Sequence, residues 1–384
     1  MKFFHLSDLH IGLRLFNRDL REDQEFILKQ IVDLAERERP DAVVVAGDIY
    51  DRAVPSAEAV EAFDRFIADL TGRLPETAVM LISGNHDSGQ RLNCFRSVLA
   101  RQNVYMIGMP PQTGEEHIAK VTLEDRWGNV NFYLLPFVRP SMVRQLLERE
   151  EDEGALSYDE TVRRLIGREV IDGRERNVLA SHQFYLPKGK KAEEVERMDS
   201  EIRTVGNIDE VSADVLEPFD YAALGHIHKP MRVGGEFYRY CGTPLACSIS
   251  EAGQQKSVLS VELREKGEIS IRELPLVPMR QVRVIRGALE EIVSRGCDDY
   301  VTAVLTDREM PDGAEAQDRL RRAFPNLLEI RREIVRRADY GQERVPAPDL
   351  DPFELCCSFL KDADEEEKAI LREVINAAKE GNRG

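Results

Sequence analysis

The sequence predicts an α/β fold with two packed sheets, and three features carry that reading. Short apolar runs at residues 3–6, 42–46, 79–82, 177–180 and 221–224 have the length and composition of buried strands, and each empties into Gly, Ser, Asp, Asn or His. In the first hundred residues these runs alternate with segments of helical apolar spacing, the pattern of a sheet whose connections cross over one face. Around residues 117–135 and 231–274 the pattern changes to short strands joined by tight turns, which calls for a second sheet packed on the first.

Taken in order, residues 22–38 place Phe26, Ile27, Ile31 and Leu34 along one helical face. A second helix starts at Ser56, a favoured N-cap, and sets Phe63, Phe66, Ile67 and Leu70 on one side. Residues 90–102 read as a third. Further strands are expected at 130–135, 236–240, 257–263 and 269–274, and 183–204 reads as a polar loop. Past Pro275 and Pro278 a new unit begins: strand 281–286, helix 289–294, strand 300–306, helix 314–324, strand 327–332. A proline-rich break at 345–348 precedes a tail with two amphipathic pieces, one carrying Phe353, Leu355, Phe359 and Leu360, the other Ile370, Leu371, Val374 and Ile375. The expected division is therefore 1–275, 276–345 and 346–384.

With 384 residues, 42% of them hydrophobic, the chain can bury a large core over more than one domain. It holds no apolar stretch of about 20 residues, so no membrane span is expected, and the apolar run after Lys2 is too short for a secretory signal. Six cysteines, at 94, 241, 247, 297, 356 and 357, lack CxxC spacing and read as reduced thiols of a cytoplasmic protein. A net charge of -17 argues against a bare nucleic-acid-binding surface. The exception is 276–345, where thirteen arginines match thirteen acidic residues.

The chemistry lies in five short runs: Asp8-Leu9-His10, Gly47-Asp48, Gly84-Asn85-His86-Asp87, Ser181-His182 and Gly225-His226-Ile227-His228. Five of the seven histidines fall in them. Each run alone is weak, since a lone DxH or GD is usually a loop or a turn. Five such runs, each following an apolar strand, can converge at one sheet edge on a two-metal centre. In extended backbone, residues two apart face the same side, so Asp8 with His10, and His226 with His228, can each serve one cavity. Mixed carboxylate, amide and imidazole donors suit Mn, Fe or Zn better than Ca or Mg. Asp48, next to Gly47, is the natural bridging carboxylate, because glycine lets the backbone come close.

The order DxH, GDxxD, GNHD, solitary His, GHxH resembles the calcineurin-like metallophosphoesterase superfamily, whose fold is a four-layer αββα sandwich. Within it, the runs at 5–12, 44–56, 82–88, 181–184, 223–230 and 241–251 resemble the SbcD family of bacterial nuclease subunits. The likeness is strong through residue 251 and only architectural after 280. It implies a small α/β capping domain and a helical tail that docks on an SbcC-like ATPase. It also implies a metal-dependent DNA nuclease of repair and recombination, exonucleolytic on duplex ends and endonucleolytic on single strands or hairpins. Two divalent ions are implied, Mn first, with Mg, Fe or Zn as alternatives. Asp8, His10, Asp48 and His228 would hold one, and Asp48, Asn85, His182 and His226 the other. His86 would face the phosphate and serve the departing oxygen, with Asp51 hydrogen-bonding it. A homodimer within a heterotetramer is implied through Ala59, Phe63, Phe66 and Ile67 on one helix and Leu92, Phe95 and Leu99 on the next.

His5 and His117 read as ordinary, and Asp87 as a residue that holds its loop. Arg52, Arg91, Lys188, Lys190 and Lys191 are candidate contacts for DNA, and the arginine pairs 321/322, 331/332 and 336/337 are others; the plainer readings are a surface salt bridge for the first two, a solvated loop for the lysines, and solvated faces paired with Glu329 and Glu333 for the arginine pairs. Two other functions compete: a small-substrate phosphodiesterase on the same sandwich, and a non-catalytic scaffold for the ATPase. Intact metal positions weigh against the scaffold, and the cap and tail against a bare small-molecule enzyme.

Overall fold

The structure is a computed structural model that describes residues 1–147, 156–187, 189, 201, 209–307, 313–333, 368 and 370–372. Lys188, Lys190, Lys191, the 336/337 pair, the end of the expected cap and all but four positions of the tail lie outside the described residues. By its contacts the chain divides into two units, Met1–Glu333 and Ile334–Gly384.

Twelve strands form two six-stranded sheets. In chain order they are β1 (Lys2–Leu6), β2 (Ala42–Ala46), β3 (Ala78–Ile82), β4 (Val104–Ile107), β5 (Ala119–Asp125), β6 (Gly128–Leu135), β7 (Arg176–Ser181), β8 (Tyr221–Leu224), β9 (Met231–Arg232), β10 (Tyr238–Tyr240), β11 (Lys256–Leu263) and β12 (Ile269–Leu276). The first sheet runs β12-β11-β1-β2-β3-β4, parallel from β1 to β4 with an antiparallel hairpin at its other edge. The second runs β9-β10-β8-β7-β6-β5, parallel from β10 to β6 and antiparallel at both edges.

Strand periodicity explains the layers. On β1 to β3, Phe3, Val44 and Met80 face the second sheet and meet Phe132, Val178 and Tyr221. Their neighbours Phe4, Val43, Val45, Val79 and Leu81 face the helices α1 (Arg21–Glu38) and α2 (Ala57–Arg73). The outer face of the second sheet packs on α3 (Tyr158–Gly167). Helix, sheet, sheet, helix is the αββα sandwich. Ser56 caps α2 by accepting from the Ala59 amide at 3.2 Å. The expected third helix is broken: helical turns Gly89–Leu92 and Arg96–Leu99 flank Phe95, which sits at φ 60°. No helix among the described residues is long and apolar enough to cross a membrane.

Residues 282–332 form a parallel three-stranded sheet, β13 (Val282–Gly287), β14 (Tyr300–Leu305) and β15 (Leu327–Arg332), with α4 (Leu289–Val293) and α5 (Gly313–Ala323). Val282 and Tyr300 join the core under α1. Asp23 of α1 is fully buried and accepts from both the Arg280 guanidinium and the Tyr300 hydroxyl at 2.7 Å. These links explain why the small sheet clusters with the sandwich.

His5 lies in the seam between the sheets. Its Nδ1 is 2.9 Å from the Tyr221 hydroxyl and its Nε2 3.2 Å from the Leu224 carbonyl. Burial pushes its pKa down to about 3. The folded value lies below the unfolded one, near 6.5, so this histidine's contribution is complete above about pH 6.5 and is lost as pH falls toward 3. The denaturation midpoint of the wild type is expected to fall more steeply below pH 6.5 than that of His5→Gln, by up to about 1.4 kcal/mol per pH unit. Parallel pH dependences would show that His5 titrates alike in both states.

Candidate metal centre

Every candidate ligand sits just past the C-terminal end of a central strand: Asp8 and His10 after β1, Asp48 after β2, Asn85 after β3, His182 after β7, His226 and His228 after β8. The loops lock to one another through the main chain. Asp8 N donates to Gly47 O at 2.9 Å, His10 N to Asp48 O at 3.0 Å, and Gly225 N to Ser181 O at 3.0 Å. Gly47 has φ 92°, and a Cβ there would lie 2.2 Å from His182 Nδ1. A Cβ on Gly84 would lie 2.0 Å from Asp48 Oδ1. Both positions must stay bare for the side chains to converge.

The extended-backbone expectation holds for neither the Asp8/His10 pair nor the His226/His228 pair. Asp8, His10, Asp48 and His226 all have positive φ, at 54°, 44°, 50° and 99°. Left-handed turns at the strand ends aim these side chains inward. Such conformations cost about 1–3 kcal/mol each in non-glycine residues and persist where the surroundings over-determine them.

The donors meet in two overlapping groups. His10 Nε2 lies 3.1 Å from His228 Nε2 and 3.7 Å from Asp48 Oδ2, and His228 Nε2 lies 4.0 Å from Asp8 Oδ1. Asn85 Oδ1 lies 3.0 Å from His182 Nε2 and 2.9 Å from His226 Nδ1, and His182 Nε2 lies 3.3 Å from Asp48 Oδ2. Asp48 belongs to both groups. His182 donates from Nδ1 to the Ala46 carbonyl at 2.7 Å, which leaves Nε2 for the cavity.

The charges of this cluster suit cations. Burial would lower the His182 pKa, but Asp48 and Asp8 outweigh it and raise it to about 9. Burial would raise Asp48, yet His182 and His10 hold it well below the usual carboxylate range. Burial drives His10 down to about 3, and its buried Nδ1 has no hydrogen-bond partner. Two imidazoles facing Nε2 to Nε2, beside two buried carboxylates and an amide oxygen, form a donor set that fits divalent transition ions.

His86 reaches the same cavity. Its amide donates to Asp48 Oδ1 at 2.9 Å, and its Nε2 is 4.0 Å from Asp48 Oδ2. The expected carboxylate partner is corrected: His86 Nδ1 donates to the main-chain carbonyl of Asp51 at 2.8 Å, while the Asp51 carboxylate faces Arg52 at 3.3 Å. The turn after Asp48 orients His86 through its backbone. Asp87 holds the loops together, accepting from the amides of Ile49, Tyr50 and Gly84 at 2.9–3.0 Å. Burial, then the Asp48 charge, pushes its carboxyl up to about 6.

Sequence reasoning gave Glu251 no role. It is buried, and its Oε1 lies 3.3 Å from His228 Nδ1. Its Oε2 takes Lys256 Nζ at 2.6 Å and the Thr243 hydroxyl at 2.8 Å. The only signal was its place at the end of the 241–251 run. A carboxylate behind a ligating imidazole fixes its tautomer and raises its basicity. Glu251→Gln is expected to weaken metal binding by about 10–100-fold, measured by titrating the metal-free protein; unchanged affinity would confine Glu251 to a packing role.

Of the expected DNA contacts, Arg52 is three-quarters exposed and Arg91 is exposed. Arg14, Arg21 and Arg52 line a cleft of about 420 Å³ beside Asp51, together with Asp19 and Glu58. Arg331 pairs with Glu329, and Arg321 and Arg322 are exposed. His117 is exposed beside Glu169.

Fold and centre define a phosphoesterase that works with divalent metal. The calcineurin-like phosphoesterase family matches residues 1–230, and the chain belongs to that family. A second family, described as the type 5 capsule protein repressor C-terminal domain, matches residues 276–363. Among curated proteins the chain is similar to the SbcD component of the nuclease SbcCD from Staphylococcus saprophyticus, 28% identical over 338 residues that cover 86% of this chain and 84% of that one. Two solved structures resemble it at a TM-score of 0.40 each. A dimetal phosphatase from Danio rerio is 15% identical and covers 72% of this chain and 96% of its own. GAP50, the anchor in the inner membrane complex of Plasmodium, is 12% identical and covers 86% and 96%.

Proposed function

We propose that this phosphoesterase is a DNA nuclease, exonucleolytic on duplex ends and endonucleolytic on single strands or hairpins, that acts with an SbcC-like ATPase in repair and recombination. The carrying observation is the extent of the likeness to the nuclease component of SbcCD, 86% of the chain, with a further domain match at 276–363 that a bare small-molecule hydrolase does not need. The division expected from sequence stays part of the proposal: nuclease domain 1–275, cap 276–345, partner-binding tail 346–384.

In this reading Asp8, His10, Asp48 and His228 hold one ion and Asp48, Asn85, His182 and His226 the other, Mn before Mg, Fe or Zn. Bound there, the pair supplies charge that polarises a phosphodiester and acidifies a water. The chain's residues do the rest. His86, tethered at Nδ1, keeps Nε2 on the cavity and gives its proton to the departing oxygen. Asp87 and Glu251 hold the loops and His228 in register. The net charge of -17 leaves most of the basic surface to the partner.

The test is the purified chain, with and without Mn, on a labelled hairpin duplex and on a chromogenic phosphodiester. Mn-dependent cutting of the hairpin supports the proposal; activity on the chromogenic diester alone selects the small-substrate enzyme. A chain ending at residue 345 is expected to keep that activity and lose co-purification with the ATPase; full-stoichiometry co-purification would reject the tail as the docking segment. The homodimer is also proposed, over a narrower surface. Ala59, Phe63, Phe66 and Leu92 are buried in their own core, whereas Phe95 and Val98 are mostly exposed. Phe95→Asp is expected to sediment as a monomer where the wild type is a dimer, and unchanged sedimentation would remove this surface from the interface.

A further inference from the structure

One buried nucleophile beside the centre has no part in the chemistry above. Cys247 lies in the turn between β10 and β11, is 8% exposed, and contacts the Leu245 carbonyl through Sγ at 3.5 Å. Its sulfur and one ring nitrogen each of His10 and His228 lie within 4.8 Å of one another. All three residues are buried.

We propose that His10, His228 and Cys247 form a soft-metal site, which takes a thiophilic ion such as Zn or Cd in competition with the ion that His10 and His228 hold for catalysis. The proposal rests on the phosphoesterase reading only in placing those two histidines in the catalytic pair.

Donor chemistry carries it. Two imidazoles and a thiolate make a zinc ligand set, with a fourth position open to water. Bonds of 2.0–2.3 Å at tetrahedral angles place donors about 3.5 Å apart. The three donor atoms already lie within 4.8 Å of one another, and His10 and His228 stand 3.1 Å apart. His228 sets Nδ1 against Glu251, which turns its Nε2 toward His10 and the cavity. His10 Nδ1 is buried with no hydrogen-bond partner, so no bond at that nitrogen fixes the ring. Hard ions prefer the oxygens of Asp8 and Asp48 and leave the sulfur as a thiol, whereas soft ions select it. Binding exchanges a proton for the metal: the S–H bond breaks, the S–metal bond forms, the proton leaves to solvent, and no electron changes hands.

Cobalt(II) added to the metal-free chain reads the site directly, because a coordinated thiolate gives a sulfur-to-cobalt charge-transfer band. The band is expected in the wild type and in Cys241→Ala, and absent in Cys247→Ala and Cys247→Ser. In Mn-supported hydrolysis, Zn is expected to inhibit the wild type at concentrations roughly tenfold or more below those needed for Cys247→Ala. A band that survives in both Cys247 variants, or no band in the wild type, overturns the proposal. So does equal Zn sensitivity. Absence of Mn-supported activity in the wild type would instead count against the phosphoesterase reading, while the cobalt band still decides the fate of the sulfur site.

Discussion

Asp48→Asn is expected to lower metal-supported hydrolysis by roughly a thousandfold or more and to leave the purified protein short of ions. Its Oδ2 stands 3.3 Å from His182 Nε2, 3.7 Å from His10 Nε2 and 4.0 Å from His86 Nε2. No other side chain among the described residues faces donors of both groups so closely. The carboxylate is buried, where desolvation alone would neutralise it, yet the surrounding imidazoles keep it ionised. Asparagine preserves its shape and the bond from the His86 amide but removes the negative charge. Two cations held close together repel, and a shared carboxylate is what offsets that repulsion. Asn85→Ala, which touches one group, should cost less. Elemental analysis of both variants decides: an Asp48→Asn chain that retains two ions at wild-type occupancy would show that Asp48 does not bridge.

His86→Ala is expected to lower turnover by about 10²–10⁴-fold while both ions stay bound. The geometry makes this a sharp test, because His86, His10 and Asp48 offer ligand atoms within 4.8 Å of one another. Distance alone would admit His86 as a ligand. Its main-chain tether argues for the other role: with Nδ1 donating to the Asp51 carbonyl, the ring presents Nε2 from a partly exposed position, where a substrate can reach it. Loss of one ion on substitution would make it a ligand. The same tether sets an expectation for Asp51→Asn, which should leave His86 oriented, since the carbonyl survives the change.

Much of this was legible in the sequence because the strands are buried on both faces. Continuous apolar runs such as 42–46 and 79–82 announce themselves without alternation, and the polar residue that follows each marks where it leaves the core. Helices α1 and α2 were visible through their apolar spacing and, for α2, the Ser56 cap. Less legible were features set by contacts far along the chain. The positive φ of Asp8 and His10 follows from bonds to Gly47 and Asp48, about forty residues away, and nothing in DxH distinguishes that turn from an extended strand. Phe95 breaks a segment whose composition favours helix. Phe184–Leu186, within a segment that reads as a polar loop, is a buried strand because Glu210–Ser212 pairs with it. Glu251 acquires its role only when Lys256, Thr243 and His228 close around it. Helix α3, by contrast, carries a local signal in the capping box of Ser157 and Glu160 that starts it.

The seven candidate ligands come from both halves of the sandwich, four from loops of the first sheet and three from loops of the second. Four of them sit in backbone conformations that a free chain abandons. Cations held at this rim would draw the loops of both sheets onto shared charges. Occupancy and cohesion at this edge are one equilibrium, since whatever binds the closed form stabilises it by mass action. Chelation therefore loosens the sandwich locally, and amide exchange in the five loops should quicken while the strands behind them stay protected.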